Sequence, residues 1–139
     1  MSAQLTGPVL GVDPGTRKCG VAVVAATGAP PLALEIVPFD AFTARIGELV
    51  AGHGVRAIAL GGGTHTSAVA ACLDGIALPV AVIDERNTTY LARARYFTAN
   101  PPRGWRRLVP RGMLLPPRPI DDFAALLIAE RYLEIEASR

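Results

Sequence analysis

The chain has 139 residues, half of them hydrophobic, and a formal net charge of +2. This size and hydrophobicity predict one globular domain over residues 1–139 and exclude an intrinsically disordered protein. The sequence contains no apolar run of the roughly 20 residues that span a bilayer and no secretory signal, so we expect a cytoplasmic protein without a membrane partner.

Apolar runs and turn residues predict alternating strands and helices. The runs 9–13 and 20–26 flank a Pro-Gly turn and predict a β-hairpin covered on both faces. The later elements are predicted in order as a strand at 32–39, a helix at 41–53, a strand at 55–60, a helix at 66–75, a strand at 80–84, a helix from 88 or 89 to about 98, an extended loop at 100–119 and a helix at 120–137. This order is typical of a mixed α/β sheet in which the first, fourth and fifth strands are parallel.

Polar features follow the strands that are predicted to be parallel. They are Asp13, the glycine-rich run 61–67 and the stretch 84–86. Ligands of open α/β sheets bind beyond the carboxyl ends of such strands. Asp13 alone is compatible with ordinary turn chemistry, because Asp before Pro-Gly favours a turn. With Asp121 and Asp122 at the start of the last helix, it predicts a group of carboxylates suited to Mg²⁺ or Mn²⁺.

Charge is distributed unevenly along the chain. The stretch 86–118 holds eight arginines and no acidic residue, which leaves 6 basic and 12 acidic residues in the remainder of the chain. A basic segment on an acidic body predicts a polyanionic partner such as nucleic acid, although an incidentally basic loop is the alternative. The residues expected to contact nucleic acid are Thr16, Arg17, Lys18, Arg86, Arg103, Arg106, Arg107 and Arg111.

Two further side chains are secondary candidates. His65 lies in the loop after the fourth predicted strand, where it could orient a water or a base, although a lone loop histidine is commonly just solvated. Trp105 is flanked by arginines and suits stacking on an unpaired base. Packing of the segment onto the core is the favoured alternative for Trp105.

Three segments in series resemble the YqgF/RuvX family. They read GVDPGTRKCGVAV, IDERNTTYLARARYF and PIDDFAALLIAERYL. This family is ribonuclease H-like, is related to the RuvC Holliday junction resolvase and is implicated in maturing the 5′ end of 16S ribosomal RNA. The resemblance implies a five-stranded mixed sheet of order 3-2-1-4-5, with strand 2 antiparallel and helices on its flanks. It also implies a catalytic triad of Asp13, Glu85 and Asp121.

The implied activity is metal-dependent hydrolysis of phosphodiester bonds. Asp13 would bridge two Mg²⁺ or Mn²⁺ ions, Glu85 would hold one and Asp121 the other, with Asp122 as a further candidate ligand. Glu85 could instead pair with an arginine, and either aspartate could instead cap the last helix. The implied partners are precursor ribosomal RNA or branched DNA. Symmetrical cutting of a four-way junction would favour a homodimer.

Two other classes of function stay open at this point. The first is a nucleic-acid-binding module of the same fold with little catalysis. The second is a phosphotransferase of the sugar-kinase type, because the DPGT turn also occurs in those enzymes. Sugar kinases close two domains over a nucleotide, however, and 139 residues leave little room for a second domain.

Overall fold

The computed structural model describes residues 7–63, 65–84, 88–109, 116 and 120–138, with the backbone alone at 88–90. The strands are β1 Val9–Asp13, β2 Lys18–Val24, β3 Ala33–Pro38, β4 Ala57–Gly62 and β5 Val80–Asp84. The helices are α1 Phe42–His53, α2 Thr66–Leu73, α3 Thr88–Ala99 and α4 Asp121–Ala137, with short 3-10 helices at Phe39–Ala41 and Gly104–Leu108. No helix in these ranges is long and apolar enough to cross a membrane.

The five strands form one sheet in the order β3-β2-β1-β4-β5. β2 is antiparallel to both β1 and β3, whereas β4 is parallel to β1 and to β5. The predicted fold class, an α/β fold of the ribonuclease H-like type with this strand order, is confirmed.

Side chains along β1 point alternately to the two faces of the sheet, and each face is covered by a different pair of helices. Val9 belongs to the core beneath α3 and α4, whereas Leu10 and Val12 belong to the core beneath α1 and α2. Because successive side chains of a strand point to opposite faces, Asp13 lies on the same face as Val9, the face covered by α4.

Two glycines allow α4 to lie directly on the central hairpin. A Cβ atom on Gly11 would overlap the carbonyl oxygen of Ala125 and would approach the Cβ of Ala129 to 2.9 Å. A Cβ atom on Gly20 would overlap the carbonyl of Asp121 and would lie 2.8 Å from the nitrogen of Asp122. Any side chain at these two positions would therefore push the helix off the sheet.

Several predicted element boundaries were wrong by a few residues. β2 occupies 18–24 rather than 20–26, and β4 occupies 57–62 rather than 55–60. Gly61 and Gly62 pair with Ile83 and Asp84, so the glycines extend the strand instead of turning out of it. The loop predicted over 100–119 contains the 3-10 helix Gly104–Leu108.

Candidate metal centre and nucleic-acid interface

Asp13 and Asp121 meet at one corner of the sheet although they are far apart in the chain. Asp13 is the last residue of β1 and pairs with Gly20 of β2, about 4.8 Å away at the usual strand spacing. The backbone of Asp121 lies directly over Gly20. Both aspartates are half-buried and lie on the α4 face of the sheet. Packing of α4 on a bare glycine therefore brings the backbones of two of the three predicted site residues together.

Cys19 precedes Gly20 in β2 and is buried in the core beneath α1 and α2. Burial raises the pKa of the Cys19 thiol, and a hydrogen bond from the Gly15 backbone opposes this. The negative charges of Asp13 and Asp121 raise the pKa of Cys19 further. Cys19 is consequently a protonated thiol at neutral pH rather than a thiolate ligand for a soft metal. Both cysteines are free.

The turn between β1 and β2 presents the predicted phosphate contacts next to Asp13. A Cβ on Gly15 would overlap the carbonyl oxygen of Lys18, so the turn requires glycine there. The Arg17 carbonyl accepts a hydrogen bond of 2.8 Å from the backbone nitrogen of Phe39, which fixes the far side of the turn. Thr16, Arg17 and Lys18 are all exposed. Their contact with nucleic acid stays a prediction.

The start of α4 differs from both capping alternatives. Ile120 occupies the N-cap position, and its carbonyl accepts from the nitrogen of Ala124 at 3.1 Å. Ile120 also packs against the core. The N-cap position therefore lies one residue before Asp121, the first residue of the helix. The interpretation of Asp121 or Asp122 as the cap was therefore wrong, and both lie in the first turn, where the helix dipole stabilises negative charge.

Asp122 is 5% exposed, and its Oδ1 accepts a hydrogen bond of 2.9 Å from the nitrogen of Phe123. Asp121 is the more accessible of the two aspartates. The accessible carboxylate is better suited to a ligand that enters from solvent, whereas Asp122 is held inside the helix–sheet contact.

The described residues at the end of β5 place no carboxylate on the α4 face, where Asp13 and Asp121 lie. Ile83 packs in the core beneath α4, so alternation turns Asp84 to the opposite face, where it is exposed. Glu85 and Arg86 lie outside the described residues. Within the described ranges, no group of three His, Cys, Asp or Glu side chains forms a metal-binding cluster. The participation of Glu85 stays a prediction.

The loop after β4 is held by one threonine. The Thr66 hydroxyl donates to the Gly61 carbonyl at 2.7 Å and accepts from the Gly63 nitrogen at 2.6 Å. His65 is half-buried at the N-cap position of α2, and its side chain makes no capping hydrogen bond. A role for His65 stays a prediction.

One arginine of the basic stretch has a structural use. Arg95 of α3 donates to Glu130 of α4 at 2.6 Å, and Glu130 also accepts from the Gly28 nitrogen at 2.9 Å. Only 7% of the Glu130 side chain is exposed. This ion pair fastens α3, and with it the start of the basic segment, to the helix that carries Asp121.

The arginines of the second 3-10 helix are accessible. Arg103 and Arg107 are exposed and Arg106 is half-buried, whereas Arg111 lies outside the described residues. Trp105 is 74% exposed, so the alternative in which it packs onto the core was wrong. The contact with the core falls instead to Val109, immediately after this helix.

A cavity beside this 3-10 helix was missed in the sequence analysis. It measures about 220 Å³ and is lined by Tyr96, Phe97, Asn100, Pro101, Pro102, Arg103 and Arg106. The available signal was an aromatic pair at the end of a predicted helix, followed by two prolines and an arginine. In the sequence, both aromatic residues fall within the helix predicted to end at about 98.

Known structures share this fold at low sequence identity. The chain matches no protein-family model and no curated protein sequence. It is similar to the Thermus thermophilus RuvC structure, with a TM-score of 0.60 and 19% identity over 94% of this chain and 96% of that chain. It is also similar to T. thermophilus RuvC in complex with Holliday junction substrate, with a TM-score of 0.59 and 21% identity over 93% and 96% of the two chains. The chain therefore has a RuvC-like fold, and membership of the YqgF/RuvX family stays a prediction.

Proposed function

We propose that this chain is a divalent-metal-dependent nuclease that hydrolyses phosphodiester bonds in structured nucleic acid. The observation that carries the proposal is the convergence of Asp13 and Asp121 at the carboxyl end of β1, on a RuvC-like fold. Glu85 follows β5 directly in the chain and would complete the carboxylate set.

The chemistry of this corner suits a hard cation. Asp13 and Asp121 offer carboxylate oxygens, which Mg²⁺ and Mn²⁺ prefer. The sulfur of Cys19, next to Gly20 in β2, is buried in the core beneath α1 and α2, and its raised pKa keeps it protonated. Asp13, Asp121 and Glu85 would hold the metal, with Asp122 as a secondary candidate. When bound, two such ions lower the pKa of a water and stabilise the departing oxygen.

The protein residues position and bind around this corner. Asp13 is fixed by its strand, and the contact of α4 with Gly20 fixes Asp121 relative to it. The Thr16 hydroxyl can donate to a phosphate oxygen, and Arg17 and Lys18 supply positive charge at the same exposed turn. In this proposal β1 and α4 set the spacing of the two aspartates, and the turn between β1 and β2 binds the substrate.

Two observations favour different classes of substrate. The RuvC structure in complex with a Holliday junction substrate favours branched DNA for this fold. The resemblance to the YqgF/RuvX family favours precursor 16S ribosomal RNA. Symmetrical cutting of a junction would in addition require two copies of the chain around a two-fold axis.

A cleavage assay with three labelled substrates tests the proposal. The substrates are a four-way DNA junction, single-stranded DNA and a precursor ribosomal RNA fragment, each with Mg²⁺ or Mn²⁺. Asp13→Asn and Asp121→Asn should each lower the cleavage rate about a thousandfold, because several kcal/mol of charge stabilisation depends on the bound ions. Asp74→Asn is the matched control, because Asp74 is exposed and follows the C-terminal end of α2.

Two outcomes would contradict the nuclease. The first is cleavage by Asp13→Asn at the wild-type rate. The second is binding of a substrate by the wild-type protein without cleavage in either metal, which would favour the non-catalytic binding module.

A further inference from the structure

The lining of the cavity at the end of α3 includes two buried aromatic residues. Tyr96 and Phe97 are 7% and 3% exposed, and their rings meet edge to face with centroids 5.1 Å apart. Pro101 and Pro102 form a side wall. The volume of about 220 Å³ is below the roughly 300–1,000 Å³ of sites for drug-sized molecules. The cavity therefore suits one small planar group, such as a nucleobase.

The rim of the cavity is basic. Arg103 is exposed and Arg106 is half-buried, and no acidic side chain is among the described residues that line the space. A guanidinium binds phosphate oxygens in a bidentate manner and also stacks on aromatic planes. An aromatic lining together with an arginine rim matches a base attached to its phosphate, which is a nucleotide.

One ring contact joins the cavity to the start of α4. The ring of Tyr96 contacts the ring of Phe123, with centroids 5.6 Å apart at an interplanar angle of 79°. Phe123 follows Asp121 by two residues in the first turn of α4. A base held against Tyr96 would belong to nucleic acid that passes the start of α4.

We infer that this cavity binds one unpaired nucleotide of the nucleic acid that the protein acts on. The inference rests on the proposed function for the class of ligand. A paired base is stacked in its helix and cannot enter such a cavity without being displaced. A bulged or single-stranded base can enter at much lower cost, so the cavity would select structured substrates that expose one.

Binding measured without divalent metal tests this inference separately from cleavage. Two DNA duplexes of identical sequence are compared, one fully paired and one with a single bulged adenine, with EDTA present. Affinity follows from fluorescence anisotropy of the labelled DNA. Trp105, the only tryptophan of the chain, gives a second readout, because it is exposed in the adjoining 3-10 helix. The wild-type protein should bind the bulged duplex about 5- to 100-fold more tightly, the range typical of one stacked base.

Three variants identify the source of this preference. Phe97→Leu keeps an apolar side chain of similar volume but removes the ring, and it should abolish most of the preference. Arg103→Ala should reduce the preference, because the rim contact is lost. Arg107→Ala is the matched control: Arg107 is exposed in the same 3-10 helix but does not line the cavity. It should weaken binding of both duplexes equally.

Equal affinity for the two duplexes, or an unchanged preference in Arg103→Ala, would overturn the inference. If circular dichroism shows that Phe97→Leu does not fold, the preference for the bulged duplex is compared between Arg103→Ala and Arg107→Ala instead. A loss of preference in Arg103→Ala alone would support the inference. Adenosine monophosphate that binds as tightly as the bulged duplex would assign the cavity to a free nucleotide instead. A preference for the bulge without cleavage in the metal assay would retain the cavity and remove the nuclease. Cleavage without a preference for the bulged duplex would retain the nuclease and remove the role of the cavity.

Discussion

Two neighbouring regions of this protein are built in opposite ways. At the corner of the sheet, α4 lies so close to the central hairpin that Gly11 and Gly20 leave no room for a Cβ atom. In the segment 100–109, by contrast, Trp105 and Leu108 are 74% and 87% exposed. The first region is fixed by backbone contact, and the second is attached at few points.

The close packing of the corner suits a site that depends on exact geometry, whereas the loosely attached segment suits binding through charge. Carboxylates that share ions must keep their spacing within a fraction of an ångström, which close packing of strand and helix provides. Arginines that bind a phosphate backbone work through charge and tolerate a looser frame. Substitutions at the corner should therefore affect folding and cleavage, whereas those at the exposed arginines of segment 100–109 should affect binding alone.

The largest effect is expected from Gly20→Ala. The added methyl would overlap the Asp121 carbonyl, and backbone cannot move aside as a side chain can. We expect a loss of about 3 kcal/mol in the free energy of unfolding, the upper end for overpacking, together with loss of cleavage. Urea unfolding monitored by circular dichroism measures it.

Gly47→Ala is the control for that substitution. Gly47 lies in α1, where an added Cβ would have nothing within 4 Å, so the alanine should stabilise the protein by about 0.5–1 kcal/mol. A stable Gly20→Ala protein with normal cleavage would show that the corner is looser than its contacts indicate.

The second largest effect is expected at the ion pair that joins the two regions. Arg95→Met leaves the buried Glu130 carboxylate with the Gly28 nitrogen as its other hydrogen-bond donor. Breaking a buried pair costs about 3–5 kcal/mol, and one-third exposure of Arg95 reduces our expectation to about 2 kcal/mol. Urea unfolding of Arg95→Met measures this loss.

The double variant Arg95→Met, Glu130→Leu distinguishes a broken pair from lost packing. It should be more stable than Arg95→Met alone, because no unpaired charge stays buried. If the double variant is the less stable one, Glu130 stabilises the fold without Arg95, and an unpaired buried charge is not the cause of the loss.

The contrast between the regions also explains how much the sequence could predict. Apolar runs and turn residues predicted the five strands and which of them are parallel, because buried strands require such runs. The order of the strands was implied by the resemblance to the YqgF/RuvX family. The close approach at Gly20 was not predictable, since it depends on a helix about one hundred residues away in the chain. The exposure of Trp105 was not predictable either, because a tryptophan flanked by arginines suits both a packed and a solvated position. Sequence alone likewise left the cap of α4 open, which was decided by the packing of Ile120.

A third, smaller effect is expected in the basic segment. If about six arginines neutralise phosphates, the logarithm of the affinity should fall with the logarithm of salt concentration with a slope of about −4 to −5. Arg107→Ala should reduce that slope by about 0.7–0.9 and weaken binding about three- to tenfold at low salt. Anisotropy titrations between 50 and 200 mM salt measure both.

Arg131→Ala controls for net charge, because Arg131 is exposed on the C-terminal half of α4 and outside the basic segment. It should leave the slope unchanged. A wild-type slope near −1 would remove the segment from the interface.

The smallest effect is expected at the far edge of the sheet, where β3 meets α1. Arg45 donates to both carboxylate oxygens of Glu35, and these hydrogen bonds hold the pKa of Glu35 below its usual value. Because the pKa is lower in the folded protein, the pair stabilises the fold above the pKa of unfolded Glu35. That stabilisation is lost as the pH falls through the folded value.

Arg45→Met should therefore differ from the wild type most at pH 7, and the difference should shrink under acid conditions. Both side chains are about one-third exposed, at 39% and 30%, so solvent screens the pair and the loss should be smaller than that of Arg95→Met. Urea unfolding at pH 7 and pH 3 measures it. A difference that grows towards pH 3 would have the wrong sign for a lowered pKa. Equal losses for Arg45→Met and Arg95→Met would mean that burial does not distinguish the ion pairs of this fold, and the contrast between a rigid corner and a loosely held periphery would then rest on the glycine contacts alone.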